Sequence, residues 1–386
     1  MSTLRPPANQ HVTTVRKPDD FDAFWADLMA QAAALPLDPE MVPVPMRSND
    51  QVETFEIHYT SLDGLRIAGW YCRPRESALA PPYPALIAVP GYISEPTLPK
   101  QLAKAGYAAV GVAPRGKLRS NSRFNPGYPG LLVDNIVDKN TYAYRGFYID
   151  AARAVDFVLS RPEIDHSRIG VQGGSQGGAL TLTTAALRSD VITCGAAGAP
   201  YLTGYMDAAS LTHSYPYQEM NEILRLHPDW EPQMRATLDY YDCLNFAPKI
   251  TCPMLISIGL GDDVCPPETA FDLLQVLGHD HRIGVGRQRV AGVDPNRLAA
   301  ERQPQRAALG RAGGVGRAHG YPVHGGGMVV RRRKPGPDRL GGDAVDRERG
   351  EAGAVEHGAH VLGHEVDAEH DDGTGALLGH GDGAVG

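Results

Sequence analysis

The chain has 386 residues, of which 42% are hydrophobic and 21% charged, and its formal net charge is -8. These values are typical of a globular protein with a large core, divided into one large domain or two ordinary ones. The acidic balance, with no basic stripe, argues against a nucleic-acid partner. No apolar run is long enough for a membrane-spanning helix, and the polar N-terminus shows no secretory signal.

The cysteines are few and scattered, and none forms a C-x-x-C pair. There are five of them: Cys72, Cys194, Cys243, Cys252 and Cys265. An odd number without paired spacing favours a reduced, cytoplasmic protein without structural zinc. We therefore expect neither a metal nor a cofactor.

The predicted elements begin with an amphipathic helix over residues 19–34, with aspartates at its start that suit the N-cap and the helix dipole. One face of this helix carries its large apolar residues, which are Phe21, Trp25, Leu28 and Ala32. Residues 52–59 and 65–72 then alternate apolar and polar positions around an Asp63-Gly64 turn. This pattern predicts an antiparallel hairpin.

From residue 85 onward the pattern alternates between strand and helix. Strands are predicted at 85–89, 107–113, 168–172, 191–197 and 254–260, and helices at 98–105, 140–160, 179–187 and 268–277. Such alternation implies a mostly parallel sheet with helices on both faces, an α/β fold. Residues 114–139 are rich in glycine and proline and are predicted to form a long loop.

Residues 201–248 interrupt the alternation with many aromatic side chains. They are Tyr201, Tyr205, Tyr215, Tyr217, Trp230, Tyr240 and Tyr241. A cap over a binding cleft would use such residues, but an insertion packed by its own aromatic residues would look the same. The sequence leaves both interpretations open.

The sharpest motif is G-x-S-x-G, formed by Gly173, Ser175 and Gly177 between a predicted strand and a predicted helix. This order is that of the nucleophile elbow of α/β-hydrolases, in which a strained turn exposes the serine at the top of the sheet. Glycine is needed around the turn because a Cβ there would collide with neighbouring backbone. The alternative is a glycine-rich turn without chemistry.

Further candidate groups follow other strands at the same edge of the sheet. Asp262 comes after the strand that must supply the acid in a Ser, then Asp, then His chain order. Asp262 and Asp263 could instead be a helix N-cap or turn residues. The backbone amides of Tyr92, after the first buried strand, and Gln176, after the serine, would form an oxyanion hole. A histidine would act as the base.

These residues lie in a chain that, over residues 19–277, resembles the acetyl xylan esterase and cephalosporin-C deacetylase family, carbohydrate esterase family 7. The similarity is carried by several stretches, among them DDFDAFWADLMAQAAALPLDPEM, LDGLRIAGWYCRPR, PGYISE, APRGKLRSN, RIGVQGGSQGGAL, SYPYQE and YYDCLNFAPKITCPMLISIGLGDDVCPPETAF. The resemblance implies the α/β-hydrolase fold. It also implies Ser175 as nucleophile, Asp262 as acid, and Tyr92 with Gln176 as oxyanion donors.

The same resemblance implies a function and an assembly. Family members remove short acyl groups, chiefly acetate, from sugars and from similar small esters such as cephalosporin C. They are similar in being cytoplasmic and metal-free, and they often form hexameric rings. Two departures affect loops near the site: Pro90-Gly91-Tyr92 replaces HGY, and the stretch with Arg115, Gly116 and Lys117 replaces D-x-R-G-Q-G.

The resemblance ends near Leu277. The catalytic histidine is expected in a His-Glu motif after one more strand, yet there the chain reads GVGRQRVAGVDPNR. Beyond Arg282 the chain contains no serine, phenylalanine, tryptophan or cysteine, which fits neither a globular core nor a typical disordered tail. We therefore predict two parts. Residues 1–277 form a hydrolase domain without its last strand and base, and residues 278–386 form an atypical tail, disordered or translated out of frame.

No histidine of this tail stands out as the base. His279 and His281 are the nearest to Asp262, and Gly363-His364-Glu365 mimics the family motif in letters only. Each is better explained as an ordinary solvated side chain than as the base. The main hypothesis is thus a serine deacetylase acting on a small acylated sugar. The alternative is a catalytically impaired hydrolase-fold protein that binds such a sugar, and a dienelactone-hydrolase-like or peptidase-like activity is a third option.

Overall fold

The computed structural model describes residues 7–277, 282–286 and 327–330, and side chains are described only within 7–277. By its contacts the chain divides into Met1–Lys334 and Pro335–Gly386, and the second unit lies wholly outside the described residues. The helices are α1 Phe21–Ala33, α2 Lys100–Lys104, α3 Tyr144–Leu159, α4 Gln176–Leu187, α5 Tyr205–Leu211, α6 Gln218–Leu226, α7 Glu231–Leu238, α8 Cys243–Phe246 and α9 Pro267–Leu277.

The strands form one sheet in the order β1-β2-β3-β5-β4-β6-β7-β8-β9-β10. They are β1 Glu40–Pro43, β2 Val52–Thr60, β3 Arg66–Pro74, β4 Tyr83–Ala88, β5 Ala108–Ala113, β6 Ile164–Gly174, β7 Cys194–Gly198, β8 Met254–Gly259, β9 Arg282–Gly286 and β10 Gly327–Val330. The strands from β5 to β9 in this order are parallel, and the flanking pairs are antiparallel. The predicted α/β class and the hairpin of β2 and β3 are confirmed.

Helix α1 shows how the sequence pattern becomes packing. Its buried residues are Phe21, Trp25, Leu28 and Ala32, as predicted. Burying an apolar side chain such as Phe21 or Leu28 stabilises the fold by about 1.5–3 kcal/mol. The predicted cap is wrong, because Asp20 makes no capping hydrogen bond. Its carboxylate instead accepts hydrogen bonds from Lys139 and Tyr240.

The sheet extends two strands, β9 and β10, beyond the last strand predicted from the sequence. β9 pairs in parallel with β8, with Arg282 opposite Leu255 and Gly286 opposite Gly259. The expectation that the final parallel strand is missing is therefore wrong. Apart from β9 and β10, the predicted tail 278–386 lies outside the described residues. Within the described ranges, no helix combines the length and the apolar character needed to cross a membrane.

Candidate active site

Ser175 lies at a sharp turn between β6 and α4. Its φ is 57° and its ψ is -122°, a conformation that side-chain-bearing residues rarely adopt. Such strain costs about 1–3 kcal/mol and persists only where the surroundings hold it. Here the Ser175 N–H donates to the Gly198 carbonyl at 2.8 Å, and the Ser175 carbonyl accepts from Gly178 and Tyr201. The neighbouring strand thus fixes the turn.

The glycines around Ser175 are required by close backbone contacts. A Cβ at Gly177 would lie 2.4 Å from the Val89 carbonyl oxygen, and one at Gly173 would lie 2.6 Å from the Gly177 oxygen. At Gly174 the nearest atom would be 3.8 Å away, which is ordinary contact. The elbow therefore packs directly against the loop that follows β4. This loop contains the predicted oxyanion donor.

The hydroxyl of Ser175 faces the thiol of Cys265 across 4.0 Å. Burial raises the pKa of the Cys265 thiol, which disfavours the thiolate form that a cysteine nucleophile needs. No histidine ring within residues 7–277 makes a hydrogen bond to the Ser175 hydroxyl. His279 and His281 lie outside the described residues, as do the histidines from His319 to His380.

Asp262 follows β8 and is joined to the serine through Cys265. Its Oδ1 accepts from the backbone N–H groups of Val264 at 3.0 Å and Cys265 at 2.9 Å. Asp262 therefore has the turn role that the sequence analysis considered. No described residue donates a hydrogen bond to Oδ2, so this oxygen can accept from another group. Asp263 is exposed, and only its carbonyl is engaged, by Thr212. Asp262 is the better placed of the two.

Gln176 ties the elbow to the loop after β4. Its buried side chain donates from Nε2 to the Gly91 carbonyl at 3.3 Å and accepts from the Tyr144 hydroxyl at 2.6 Å. The residues predicted as oxyanion donors, Tyr92 and Gln176, are therefore brought together. Their roles stay predictions. Tyr144, which holds the Gln176 amide, was missed by the sequence analysis because α3 is distant in the chain.

The side chain of Tyr92 is anchored by the insertion. Its hydroxyl donates to Glu219 Oε1 at 2.8 Å and accepts from the Leu132 N–H at 2.9 Å. Glu219 Oε2 accepts from the Gly130 N–H at 2.9 Å. Burial raises the pKa of Glu219, while these hydrogen bonds oppose the rise. Glu219, in the SYPYQE stretch, joins α6 to the loop at Tyr92 and to the loop before α3.

Residues 201–248 combine both interpretations left open by the sequence. Four of the tyrosines are fully buried, namely Tyr201, Tyr205, Tyr217 and Tyr241, whereas Tyr215 is 50% exposed. Tyr201 packs on Tyr217 with ring centroids 4.5 Å apart and on Tyr92 at 6.2 Å. The insertion is thus packed by its own aromatic residues and also borders the candidate site.

One group of side chains has the composition of a metal site. The ligand atoms of His11, Asp207 and Asp272 lie within 4.8 Å of one another. However, Asp207 already accepts from both Thr13 and Thr14, and His11 is 2.6 Å from Asp272. These contacts fasten the N-terminal segment to α5 and α9, which accounts for the group without a metal.

The fold and the strained serine turn define an α/β-hydrolase. The family model for acetyl xylan esterase (AXE1) matches residues 9–291. The chain therefore belongs to the acetyl xylan esterase family, as the resemblance in its sequence indicated.

Individual relatives agree with this assignment. The acetyl esterase Axe7A of Xylanibacter ruminicola is 31% identical over 271 residues, which are 66% of this chain and 59% of the relative. The chain thus spans less than two thirds of that protein. The acetyl xylan esterase from Paenibacillus sp. R4 superposes with a TM-score of 0.68 at 30% identity, covering 78% of this chain and 98% of that one. The enzyme from Thermoanaerobacterium gives 0.66 at 26% identity, covering 76% and 96%.

Proposed function

We propose that this protein is a carboxylic ester hydrolase that removes short acyl groups, chiefly acetyl, through an acyl-enzyme on Ser175. The observation that carries the proposal is the strained backbone of Ser175, which has a φ of 57°. This serine lies in a chain that belongs to the acetyl xylan esterase family. Strain of this kind is kept where it serves function. It lifts the hydroxyl off the strand and places it beside α4.

The chemistry follows from the groups around the elbow. A base takes the proton of the Ser175 hydroxyl, and the oxygen attacks the ester carbonyl. The N–H groups of Tyr92 and Gln176 hold the tetrahedral oxyanion, the alcohol leaves with a proton from the base, and water clears the acyl-enzyme. Asp262 Oδ2 orients the base, which we expect to be a histidine after β9.

The substrate class comes from the relatives. The named relatives are acetyl esterases and acetyl xylan esterases. We therefore propose acetylated xylo-oligosaccharides as substrates, with cephalosporin C as a second small acetyl ester. Association into hexameric rings and a cytoplasmic location stay predictions from the resemblance.

A burst experiment tests the mechanism. Mixing the protein with p-nitrophenyl acetate should release nitrophenol in a rapid first turnover, and mass spectrometry should find one acetyl group on Ser175. Ser175→Ala should abolish both signals, whereas Ser189→Ala, an exposed serine, should leave them unchanged. Acetyl transfer that persists in Ser175→Ala would contradict the proposal.

The alternative function, binding of an acylated sugar without turnover, is favoured by one observation. Within residues 7–277 no histidine contacts the Ser175 hydroxyl. Under this alternative, calorimetry would detect binding of acetylated xylobiose while no acetate is released. Release of acetate that depends on Ser175 would exclude it.

A further inference from the structure

Lys117 lies in the stretch where this chain departs from its family, directly after β5. The family pattern D-x-R-G-Q-G places a glutamine where this chain has lysine. The Lys117 side chain is fully buried. Burying an ammonium is strongly unfavourable unless acceptors match its donors, so the hydrogen-bond partners of Lys117 indicate its role.

The partners of Lys117 are consecutive carbonyls of the loop after β4. Nζ donates to the Gly91 oxygen at 2.8 Å and also to the Tyr92 oxygen. The Tyr128 ring covers the ammonium, with Nζ 4.7 Å from its centroid. Hydrogen bonds from a charged donor are about twice as strong as neutral ones. The lysine therefore holds this loop more firmly than a neutral side chain would.

Peptide geometry links these carbonyls to the oxyanion hole. The Gly91 carbonyl and the Tyr92 N–H belong to one planar trans peptide, so they point in opposite directions. The Gly91 oxygen accepts hydrogen bonds from both Lys117 Nζ and Gln176 Nε2. Fixing that oxygen therefore fixes the direction of the Tyr92 N–H.

We infer that Lys117 is a positioning residue for ester hydrolysis, which holds the Gly91-Tyr92 peptide so that the Tyr92 N–H is oriented toward the oxyanion formed at Ser175. The inference rests on the proposed function, because it assumes that Tyr92 is an oxyanion donor. Lys117 Nζ donates to the carbonyls of Gly91 and Tyr92 and not to the Ser175 hydroxyl. It acts through the peptide that it holds.

The charge of Lys117 makes this arrangement sensitive to pH. Burial lowers the pKa of Lys117 to about 8, and the opposite charge of Glu95 partly offsets this. The facing Tyr128 hydroxyl stays neutral because burial raises its pKa, and Glu219 lies beyond the Tyr92 ring. As pH rises through about 8, the ammonium becomes an amine, loses one donor and binds the carbonyls more weakly.

Substitution at position 117 tests the inference in the full-length chain. Lys117→Met keeps the length and removes the donors, and Lys117→Gln restores the residue of the family pattern. We expect kcat for p-nitrophenyl acetate to fall about ten- to a hundredfold in Lys117→Met. This loss should not exceed the ~10²–10³-fold loss of kcat that follows removal of an entire oxyanion-hole donor. KM should change little. Lys117→Gln should keep more activity and lack the decline above about pH 8 that we expect of wild type.

Two further readouts separate this inference from the proposed function. A fluorophosphonate probe forms an O–P bond at Ser175 while fluoride leaves, and its rate reports the oxyanion hole without turnover. Wild type that fails to label would overturn the proposed function and the inference with it. Wild type that labels no faster than Lys117→Met would overturn the inference alone.

Hydrogen exchange measures the positioning itself. Amides of residues 89–95 should exchange faster in Lys117→Met than in wild type, and Lys104→Met, at an exposed lysine of α2, should match wild type. Unchanged exchange and an unchanged pH profile in Lys117→Met would contradict the role of Lys117.

Discussion

At the scale of single residues, the elbow glycines differ sharply in the space around them. Gly177→Ala places a Cβ 2.4 Å from a backbone oxygen, whereas Gly174→Ala meets nothing nearer than 3.8 Å. We expect Gly177→Ala to lower the free energy of unfolding by about 1–3 kcal/mol, the range for overpacking, and to abolish esterase activity. Gly174→Ala should keep both. Thermal unfolding and p-nitrophenyl acetate turnover measure the difference.

Equal behaviour of Gly177→Ala and Gly174→Ala would contradict this prediction. If Gly177→Ala is as active and as stable as Gly174→Ala, the elbow does not depend on contact with the Val89 carbonyl. Gly177 lies in α4, where helix propensity favours alanine over glycine, so propensity cannot explain a loss of stability in Gly177→Ala.

The sequence predicts residues of this site whose role depends on local backbone, and misses those that act across the fold. Gly173, Ser175 and Gly177 form a local motif, and the structure shows the strained turn that they require. Lys117 and Glu219 act through side chains that reach loops distant in the chain. Only the replacement of the family glutamine by Lys117 was visible in the sequence.

At the scale of elements, Asp242 joins two short helices of the insertion. Its carboxylate accepts from the N–H groups of Gly204 and Tyr205, where α5 begins, and of Leu244, where α8 begins. Burial raises the pKa of Asp242 to about 7, although these hydrogen bonds lower it. The insertion therefore contains a buried group that titrates near neutrality.

The sign of the resulting pH dependence follows from proton binding. Between about pH 4 and 7 the folded chain keeps a proton on Asp242 that the unfolded chain has lost. Folding stability should therefore fall as pH rises through this window, by about 1.4 kcal/mol for each unit of pKa difference.

Asp242→Asn provides the test, because its side chain cannot ionise. Urea unfolding at several pH values should show a smaller loss of stability with rising pH in Asp242→Asn than in wild type. Asp229→Asn, at an exposed aspartate, should follow wild type. Parallel curves for Asp242→Asn and wild type would show that Asp242 is ionised throughout this window.

Element types were predictable here, but their ends were less so. The helix predicted from residue 140 begins at Tyr144, and the strand predicted at 168–172 extends over Ile164–Gly174. The residues just before Tyr144 are held instead by a local turn, in which the Asp138 carboxylate accepts hydrogen bonds from Asn140 and Thr141. Apolar periodicity does not detect contacts of this kind.

At the scale of the molecule, strand order brings the site together. After β4 the chain continues to β5 on one side and returns to β6 on the other. The loops after β4 and β6 therefore run in opposite directions and leave a crevice between them. Ligands of open α/β sheets bind in a crevice of this kind. Gly91 and Tyr92 follow β4, and Ser175 follows β6. The parallel order predicted from the sequence was sufficient to place them at one edge.

The same topology restricts where the base comes from. β9 is parallel to β8, so its carboxyl end, Gly286, lies at the edge where Asp262 follows β8. Arg282 is about 13 Å away along the strand, given a rise of ~3.3 Å per residue. His279 and His281 precede Arg282 in the sequence, whereas a base for Ser175 is expected after Gly286.

Replacing His279 and His281 together by alanine should therefore leave kcat for p-nitrophenyl acetate within about twofold of wild type, since neither would act in proton transfer. Loss of a general base typically costs about 10²–10⁴ in rate, so the outcomes are easily separated. Single substitutions of the histidines after Gly286, beginning with His319 and His324, should identify the residue whose loss abolishes the burst. A large loss of kcat in the double variant would instead place the base before β9. The pairing of β9 with β8 would then not be that of the active protein.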